Sequence, residues 1–431
     1  MKDSKLFESF SKVRTSASVL SVSSDEERKK ALKLVSDALK ANEDLIFSQN
    51  RADLDDAKAS GIPDSILHRL LFSEEKLKAV TKGLSELSEQ KDPIGRVREK
   101  RELDPGFVLE KRTFPIGVIG MIFEARPDAL VQIAGLALRS ANAVILKGGR
   151  EAARSNKTLI SIIKEATKDL SFGSDWIMGI ESHEDVDTLL KAEGYVDLLI
   201  PRGSNAFVRH VMENTKIPVI GHSDGICATY VDKSADLNEA VKVCLDAKIQ
   251  YPAACNATET FLVHKDIAPT FLPMLSKAFS DSGVTVHADK TALPLMTGAV
   301  SATEEDFHTE YLGLECAVKV VSSVQEAIDH IQSHGSHHTD AILTKDKKNA
   351  DYFIAKVDSA DVFVNCSTRF ADGFRFGLGA EVGISTSKFH ARGPVGLEGL
   401  MTTKWILRGQ GQTVAEYSGE NGKSFHHKEL I

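Results

Sequence analysis

The sequence predicts an α/β protein built on two parallel sheets, each covered by helices. Short apolar runs alternate with helical patterns from about residue 115 to residue 250, as in "GVIGMIF", "ALVQIAGLALRSA" and "AVILKGG". After residue 255 the alternation begins again with "TETFLVHKD" and continues to "DVFVNCS". Buried strands separated by helices are typical of parallel sheets, which often bind nucleotides at one edge. A length of 431 residues leaves room for two or three domains.

The segments outside these two units have their own patterns. Residues 1 to about 90 carry apolar residues at helical spacing, as in "EERKKALKLVSDALKANEDLIF". In "REKRELDPGFVLEKRTF", Asp-Pro-Gly separates two alternating runs and predicts a β-hairpin. The C-terminal part is rich in glycine and then extended in "MTTKWILRG". We therefore expect a first domain of residues 1–99 and 115–250, a second of residues 251–385, and a strand arm of residues 100–114 and 386–431.

The composition of the chain argues against several classes of protein, including nucleic-acid-binding, membrane and disulfide-rich secreted proteins. The chain is 42% hydrophobic and 26% charged, as in water-soluble globular proteins, and its net charge is −8. A negative net charge argues against binding to nucleic acid or to an anionic membrane. The N-terminus lacks the apolar core of a signal peptide, and no apolar run reaches the ~20 residues of a membrane helix. Five cysteines without a C-x-x-C pair indicate reduced thiols rather than disulfides or a thiolate zinc site. We expect a cytoplasmic protein.

Cys255 is the candidate nucleophile. It lies in "QYPAACNATET", among small and turn-forming residues that would leave room for a substrate carbonyl. The other four cysteines, at positions 227, 244, 316 and 366, lie in or beside apolar runs and fit core positions. The sequence around Cys255 does not by itself decide whether this residue packs in the core or acts as a nucleophile. No His or Lys is adjacent, so any activating group must come from a distant part of the sequence.

Four histidines near residues 330–338 could be interpreted as metal ligands. His330 and His334 share one helix face, and His337 and His338 follow. No thiolate or carboxylate pair completes an evident set, so we interpret these residues as capping a helix and shaping the site, and expect no metal.

Long motifs resemble the γ-glutamyl phosphate reductase family of the aldehyde dehydrogenase superfamily. The segments "VSSVQEAIDHIQSHGSHHTDAI" and "FGLGAEVGISTSKFHARGPVGLEGL" resemble its two signatures, and "IFEARPD", "LKGG", "IPRGSNA", "GHSDGIC" and "YPAACNATET" follow the family order. The similarity covers nearly the whole chain. It implies an aldehyde dehydrogenase-like fold, with two Rossmann-like α/β domains and a β-strand oligomerisation arm.

The resemblance also implies roles for single residues. Cys255 matches the catalytic cysteine of the superfamily, and Gly203 and Ser204 match the loop that meets the cofactor pyrophosphate. Glu310 resembles the glutamate that holds the nicotinamide ribose, although the usual Gly-Pro after it is missing. Lys147 matches the lysine that reaches the adenosine ribose.

Cofactor choice is expected to follow from the residue three positions after Lys147. NAD-preferring relatives often carry glutamate there, whereas this chain has Arg150. Two cations near the ribose would attract the additional phosphate of NADPH. An exposed Arg150 that only opens the next helix is the alternative.

The sequence departs from hydrolytic aldehyde dehydrogenases at two positions. Their general-base glutamate is replaced by Val219, and "FEARPD" lacks the oxyanion asparagine. Without that base a thioester would not readily be hydrolysed, which favours an acyl phosphate as substrate. Part of the oxyanion hole would then come from the backbone N–H of Cys255, and the sequence does not identify a second donor. Arg126 and Arg392 are candidates for binding the phosphate or carboxylate, with ordinary ion pairs as the alternative.

The expected reaction is the NADPH-dependent reduction of L-glutamyl 5-phosphate to L-glutamate 5-semialdehyde, the second step from glutamate to proline. Cys255 would form a thioester and release phosphate. A hydrolytic aldehyde dehydrogenase and a nucleotide-binding scaffold without chemistry are the alternatives. We expect a homodimer or higher homo-oligomer, because exposed strand edges favour pairing between subunits. Direct transfer of the substrate from glutamate 5-kinase is left open.

Overall fold

The N-terminal region is helical, as the periodicity predicts. The computed structural model describes residues 2–124, 126–222 and 224–431. The helices are α1 (Lys2–Leu20), α2 (Asp25–Ala41), α3 (Glu43–Ala59), α4 (Asp64–Leu70) and α5 (Glu74–Glu89). Helix α2 begins where the Ser24 side chain accepts a hydrogen bond from the backbone N–H of Glu27. Its buried face, which includes Leu32, Val35 and Leu39, packs into the core of the first domain.

The hairpin predicted around Asp-Pro-Gly is present. Strands β1 (Val97–Asp104) and β2 (Phe107–Pro115) are antiparallel, with Asp104 opposite Phe107. The turn requires Gly106, whose φ of 72° is unfavourable for residues with a Cβ.

A four-stranded parallel sheet forms the centre of the first domain. Its elements are β3 (Val118–Ile122), α6 (Pro127–Arg139), β4 (Ala143–Lys147), α7 (Ala153–Thr167), β5 (Ile177–Gly179), α8 (His183–Leu190), β6 (Leu198–Pro201) and α9 (Asn205–Glu213). The strand order is β5-β4-β3-β6. Strands β3, β4 and β6 are buried along their whole length, since helices cover both faces.

A seven-stranded parallel sheet forms the second domain. Its elements are β7 (Cys227–Val231), α10 (Leu237–Ile249), β8 (Thr258–His264), α11 (Ala268–Asp281), β9 (Thr285–Ala288), β10 (Val300–Ser301), β11 (Glu315–Val321), α12 (Val324–His334), β12 (Thr339–Leu343), α13 (Lys347–Lys356) and β13 (Asp361–Val364). The strand order is β10-β9-β11-β8-β7-β12-β13. Strands β7 and β8 lie at its centre, beside β12.

The C-terminal part adds the strands β14 (Ile384–Ser385), β15 (Gly393–Pro394), β16 (Met401–Arg408) and β17 (Lys428–Glu429). Strand β16 pairs with β2 over eight residue pairs, and β17 pairs with β1. The resulting antiparallel sheet, in the order β16-β2-β1-β17, is the arm. Among the described helices, none is long and apolar enough to cross a membrane.

The domain boundaries differ from those expected at two places. The sequence pattern places strand β7 in the first domain, but β7 pairs with β8 and β12, so the second domain begins near residue 226 rather than 251. The segment before β16 was assigned to the arm, but Ala391, Val395 and Leu400 pack in the core of the first domain. Both differences have one cause, because an apolar run does not identify the sheet in which it is buried.

Candidate active site

Cys255 lies at the amino-terminal edge of the second sheet. It occupies the turns between α10 and the first residue of β8, and it is half-buried. Neighbouring strands β7 and β12 begin at the same edge, because the sheet is parallel. The residues just before or at these strand starts, Cys227 and His338, therefore lie next to the Cys255 turn.

Backbone contacts fix the Cys255 turn. The Cys227 thiol donates to the carbonyl oxygen of Cys255 at 3.2 Å, and the Asn256 amide donates to the carbonyl oxygen of Ala371 at 2.6 Å. Gly225 is so close that a Cβ there would lie 2.2 Å from the carbonyl oxygen of Cys255 and 2.6 Å from its Cα. Only glycine fits this position without a shift of the turn.

Two histidines lie beside the Cys255 thiol. The sulfur of Cys255 and one ring nitrogen each of His222 and His338 lie within 4.8 Å of one another. The two imidazole rings meet edge to face, with 4.6 Å between their centroids. His222 donates from Nδ1 to the carbonyl oxygen of Ile384 at 2.7 Å. Nε2 of His338 is buried and has no hydrogen-bond partner among the described residues.

Arg202 and Arg369 place positive charge beside the nucleophile. Burial lowers the pKa of Arg202, and the carboxylate of Glu381 is the strongest of the groups that oppose this effect. Burial also lowers the pKa of Arg369. The charge of Cys255 acts on the pKa of both arginines, in the direction opposite to burial. A developing thiolate or an anionic substrate would therefore meet two cations at this edge.

The two arginines proposed from the sequence lie in different surroundings. Arg126 forms an ion pair with Asp128 at 3.1 Å, and its charge lowers the pKa of Arg202, which places it toward the site. Arg392 donates to a carboxylate oxygen of Asp358 at 2.9 Å. Within the described part of the chain, no contact joins Arg392 to Cys255.

The carboxyl edge of the first sheet carries the residues expected at the adenosine ribose. Lys147 ends β4 and is only 8% exposed. Burial lowers its pKa, Glu151 opposes this effect, and Arg150 adds to it. The Lys147 ammonium group makes no hydrogen bond within the described residues. Arg150 is exposed and lies 3.0 Å from Nε2 of His183. An ammonium group without a hydrogen-bond partner, on a lysine that is otherwise buried, fits a site for ribose hydroxyls.

The loop that contains Gly203 lies in the first domain, between β6 and α9, and contacts the second domain through the next residue but one. Gly203 and Ser204 are exposed and precede α9, where the Ser204 hydroxyl accepts from the backbone N–H of Phe207 at 3.4 Å. The next residue, Asn205, donates from its amide to Glu310 at 2.7 Å. The pyrophosphate and ribose candidates are therefore neighbours. A helix N-terminus with exposed N–H groups fits the pyrophosphate of a dinucleotide.

Position 219 itself carries no carboxylate that could act as a general base. Val219 is half-buried and pairs with Leu199 beside β6. Glu259 lies close by in β8, but it forms a buried ion pair with Lys248. Burial raises the pKa of Glu259 to about 7, and Lys248 opposes this effect.

The four histidines considered as metal ligands do not form one set. His338 lies beside Cys255, and His337 donates from Nδ1 to the carbonyl oxygen of Asp358 at 2.7 Å. His330 and His334 stack on α12 with 4.0 Å between ring centroids. A different trio of ligand atoms, from Glu304, His308 and His334, lies within 4.8 Å on the surface.

Sequence reasoning missed His222, Asn205 and Arg202. All three lie within motifs that carry the family resemblance, "GHSDGIC" and "IPRGSNA". The motifs were therefore a signal that these segments mattered. Which of their side chains reach Cys255 or Glu310 depends on how the two domains meet.

Several known proteins are similar to this chain in sequence and fold. A model of the aldehyde dehydrogenase family matches residues 14–299. The γ-glutamyl phosphate reductase of Nostoc punctiforme is 48% identical over 420 residues, 97% of each chain. The crystal structure of γ-glutamyl phosphate reductase from Thermotoga maritima is 38% identical, covers 95% of this chain and 99% of its own, and has a TM-score of 0.93. A glyceraldehyde-3-phosphate dehydrogenase from Methanocaldococcus jannaschii, complexed with NADP, shares the fold at 14% identity, with a TM-score of 0.63 and 94% of each chain covered. The expected aldehyde dehydrogenase-like fold is confirmed.

Proposed function

The chain belongs to the γ-glutamyl phosphate reductases of the aldehyde dehydrogenase family, and on that premise we propose that it reduces L-glutamyl 5-phosphate to L-glutamate 5-semialdehyde with NADPH. The reaction releases phosphate and is the second step from glutamate to proline. The observation that carries the proposal is a half-buried thiol, Cys255, beside the cations Arg202 and Arg369, with no carboxylate at position 219 to activate water.

Cys255 attacks the acyl carbon of the substrate and forms a thioester. Its backbone N–H donates no hydrogen bond to any described residue, so it is free to donate to the carbonyl oxygen as negative charge develops there. Arg202 and Arg369 favour the thiolate and the approach of the phosphate group. Arg126 extends this positive region, and Arg392 would bind substrate only by exchanging its contact with Asp358.

Five residues would hold the coenzyme. Lys147 and Arg150 would bind the adenosine ribose and its phosphate, Gly203 and Ser204 the pyrophosphate, and Glu310 the nicotinamide ribose. The unpartnered ammonium group of Lys147 and the exposed start of α9 support this arrangement. NADPH supplies the hydride that reduces the acyl group. Asn205 holds the Glu310 carboxylate in place from the opposite domain.

We also propose that the arm joins subunits into a homodimer or a higher homo-oligomer. Strand β16 lies at the edge of the arm sheet, and its Trp405 and Leu407 are 54% and 50% exposed. An edge strand with exposed apolar side chains favours pairing with another strand. A compact monomer in light-scattering measurements would remove this proposal. Supply of the substrate by a glutamate 5-kinase, and a cytoplasmic location, stay predictions.

The test uses the reverse reaction, in which glutamate semialdehyde reduces NADP in the presence of phosphate. We expect strong phosphate dependence, because a thioester without a hydrolytic base must be released by phosphate. Cys255→Ala should lower the rate more than about 1,000-fold, since no other group can form the thioester. Cys366→Ala is the matched control and should keep the wild-type rate within about twofold.

Two results would contradict the proposal. Turnover without phosphate would indicate a hydrolytic aldehyde dehydrogenase, and no turnover in a folded wild-type protein would indicate a scaffold. A Cys255→Ala variant that keeps more than about a tenth of the activity, a barrier change below about 1.4 kcal/mol, would rule out covalent catalysis.

A further inference from the structure

The thiol of Cys255 shares a small space with two histidines from distant parts of the sequence. His222 precedes β7, and His338 precedes β12, so the order of the strands brings both to the start of β8. One ring nitrogen of His222, one ring nitrogen of His338 and the sulfur of Cys255 all lie within 4.8 Å of one another. No activating group for the nucleophile is evident from the local sequence, and these two imidazoles lie where one is needed.

The hydrogen bond of His222 determines which of its two ring nitrogens can accept a proton. A carbonyl oxygen can only accept, so Nδ1 of His222 must carry the proton that it donates to Ile384. In the neutral imidazole the other nitrogen, Nε2, is then a free acceptor. The ring of His338 packs edge-on against that of His222 and limits its rotation. His222 is therefore both oriented and ready to accept a proton.

We propose, on the basis of the function proposed above, that His222 is the acid–base partner of Cys255 during formation of the thioester. Nε2 of His222 takes the thiol proton as sulfur forms its bond to the acyl carbon. The bond between that carbon and the phosphate oxygen breaks, and the proton passes from His222 to the leaving phosphate. Thiol and acyl phosphate thus give thioester and hydrogen phosphate, with His222 neutral again and no oxidation or reduction in this step.

The charges around His222 fit this role. Burial is the main cause that lowers its pKa, and Arg202 acts in the same direction. The hydrogen bond to Ile384 and the carboxylates of Glu310 and Asp224 oppose it, while Cys255 and His338 complete the ionisable groups nearby. A lowered pKa keeps the imidazole neutral near pH 7, where it can accept a proton. Arg202 then stabilises the thiolate that results.

The experiment measures alkylation of Cys255 by iodoacetamide, followed by mass spectrometry of its peptide, from pH 6 to pH 9. Only the thiolate reacts, and neither substrate nor coenzyme is needed. His222→Asn keeps an amide that can donate to Ile384 but removes Nε2. His337→Asn is the matched control, because His337 makes the same kind of hydrogen bond, to Asp358, and its φ of 59° suits asparagine.

We expect the wild type and His337→Asn to be alkylated about tenfold faster at pH 7 than His222→Asn, because His222 can take up the thiol proton; the difference should shrink toward pH 9, where the thiol ionises into solvent. In His222→Asn the rate should fall about tenfold per pH unit below pH 8, as for an unassisted thiol. Phosphate-dependent activity of His222→Asn should fall about 100-fold, with substrate KM changed less than about threefold. His338→Gln, which removes the packed ring, should have a smaller effect on both measurements.

An alkylation profile of His222→Asn that matches the wild type would overturn the proposal, as would slower alkylation at pH 7 in His338→Gln but not in His222→Asn. If His222→Asn does not fold, His222→Gln is measured instead and should give the same profile as that expected for His222→Asn. The proposed function fails separately, through the absence of phosphate-dependent turnover in the wild type, whatever the alkylation profile is.

Discussion

The two sheet edges that meet at Cys255 are stabilised in different ways. At the amino edge of the second sheet, the Cys255 turn is fixed by Gly225, Cys227 and Asn256 through contacts within the protein. At the carboxyl edge of the first sheet, Lys147 and the Gly203 loop keep polar groups without partners or exposed to solvent. The first edge fixes the position of the nucleophile through contacts within the protein, whereas the second leaves polar groups available to the proposed coenzyme. Substitutions should therefore affect rate at one edge and affinity at the other.

The strongest test of this difference is Gly225→Ala. A Cβ at this position would lie 2.6 Å from a carboxylate oxygen of Glu310, in addition to its overlap with Cys255. The turn must move, and a displacement of ~1 Å can lower the rate about 100-fold. We expect kcat to fall by that factor, measured by steady-state kinetics, with the protein still folded. Gly83→Ala, in helix α5 with nothing within 4 Å of the added Cβ, should keep kcat and unfold at a slightly higher temperature. Equal kinetics in the two variants would refute the idea of a fixed turn.

Arginine substitutions should give a smaller effect, chiefly on substrate KM. Lysine provides a point charge in place of the planar guanidinium group, so Arg126→Lys and Arg392→Lys should both weaken substrate binding. We expect about a tenfold rise in KM for Arg126→Lys and less for Arg392→Lys, because Asp358 already holds that side chain. An unchanged KM in both variants would show that the two arginines form ordinary ion pairs and do not bind the substrate.

The smallest expected effect is on the choice between NADPH and NADH, at the carboxyl edge of the first sheet. Arg150→Glu places a negative charge where the ribose phosphate of NADPH would lie, so kcat/KM for NADPH should fall about tenfold more than that for NADH. Lys157→Glu, an exposed position on α7, makes the same change in net charge and should leave the ratio unaltered. Equal losses with both coenzymes, or a native preference for NADH, would contradict the assignment of Arg150.

The fold and the turn that contains Cys255 could be predicted from sequence, for physical reasons that do not extend to the rest of the candidate site. The alternation of strands and helices, and the turn residues around Cys255, are local patterns. The proximity of His222 and His338 to Cys255 depends on which strands pair with β8, and apolar strands do not encode that order locally. The misplaced strand β7 has the same cause. Arg202 and Asn205 were missed because their partners, Cys255 and Glu310, belong to the other domain.

The packing of Val382, Ala391 and Leu400 in the first-domain core has a consequence for synthesis on the ribosome. These residues are made after the whole second domain, so the first domain lacks part of its core until translation is almost complete. The second domain, whose sheet runs from residue 227 to residue 364, can close first although it is made later. Chains truncated near residue 380 should therefore protect the second domain from protease while α1 and α2 are still cut. The order of folding is then opposite to the order of translation.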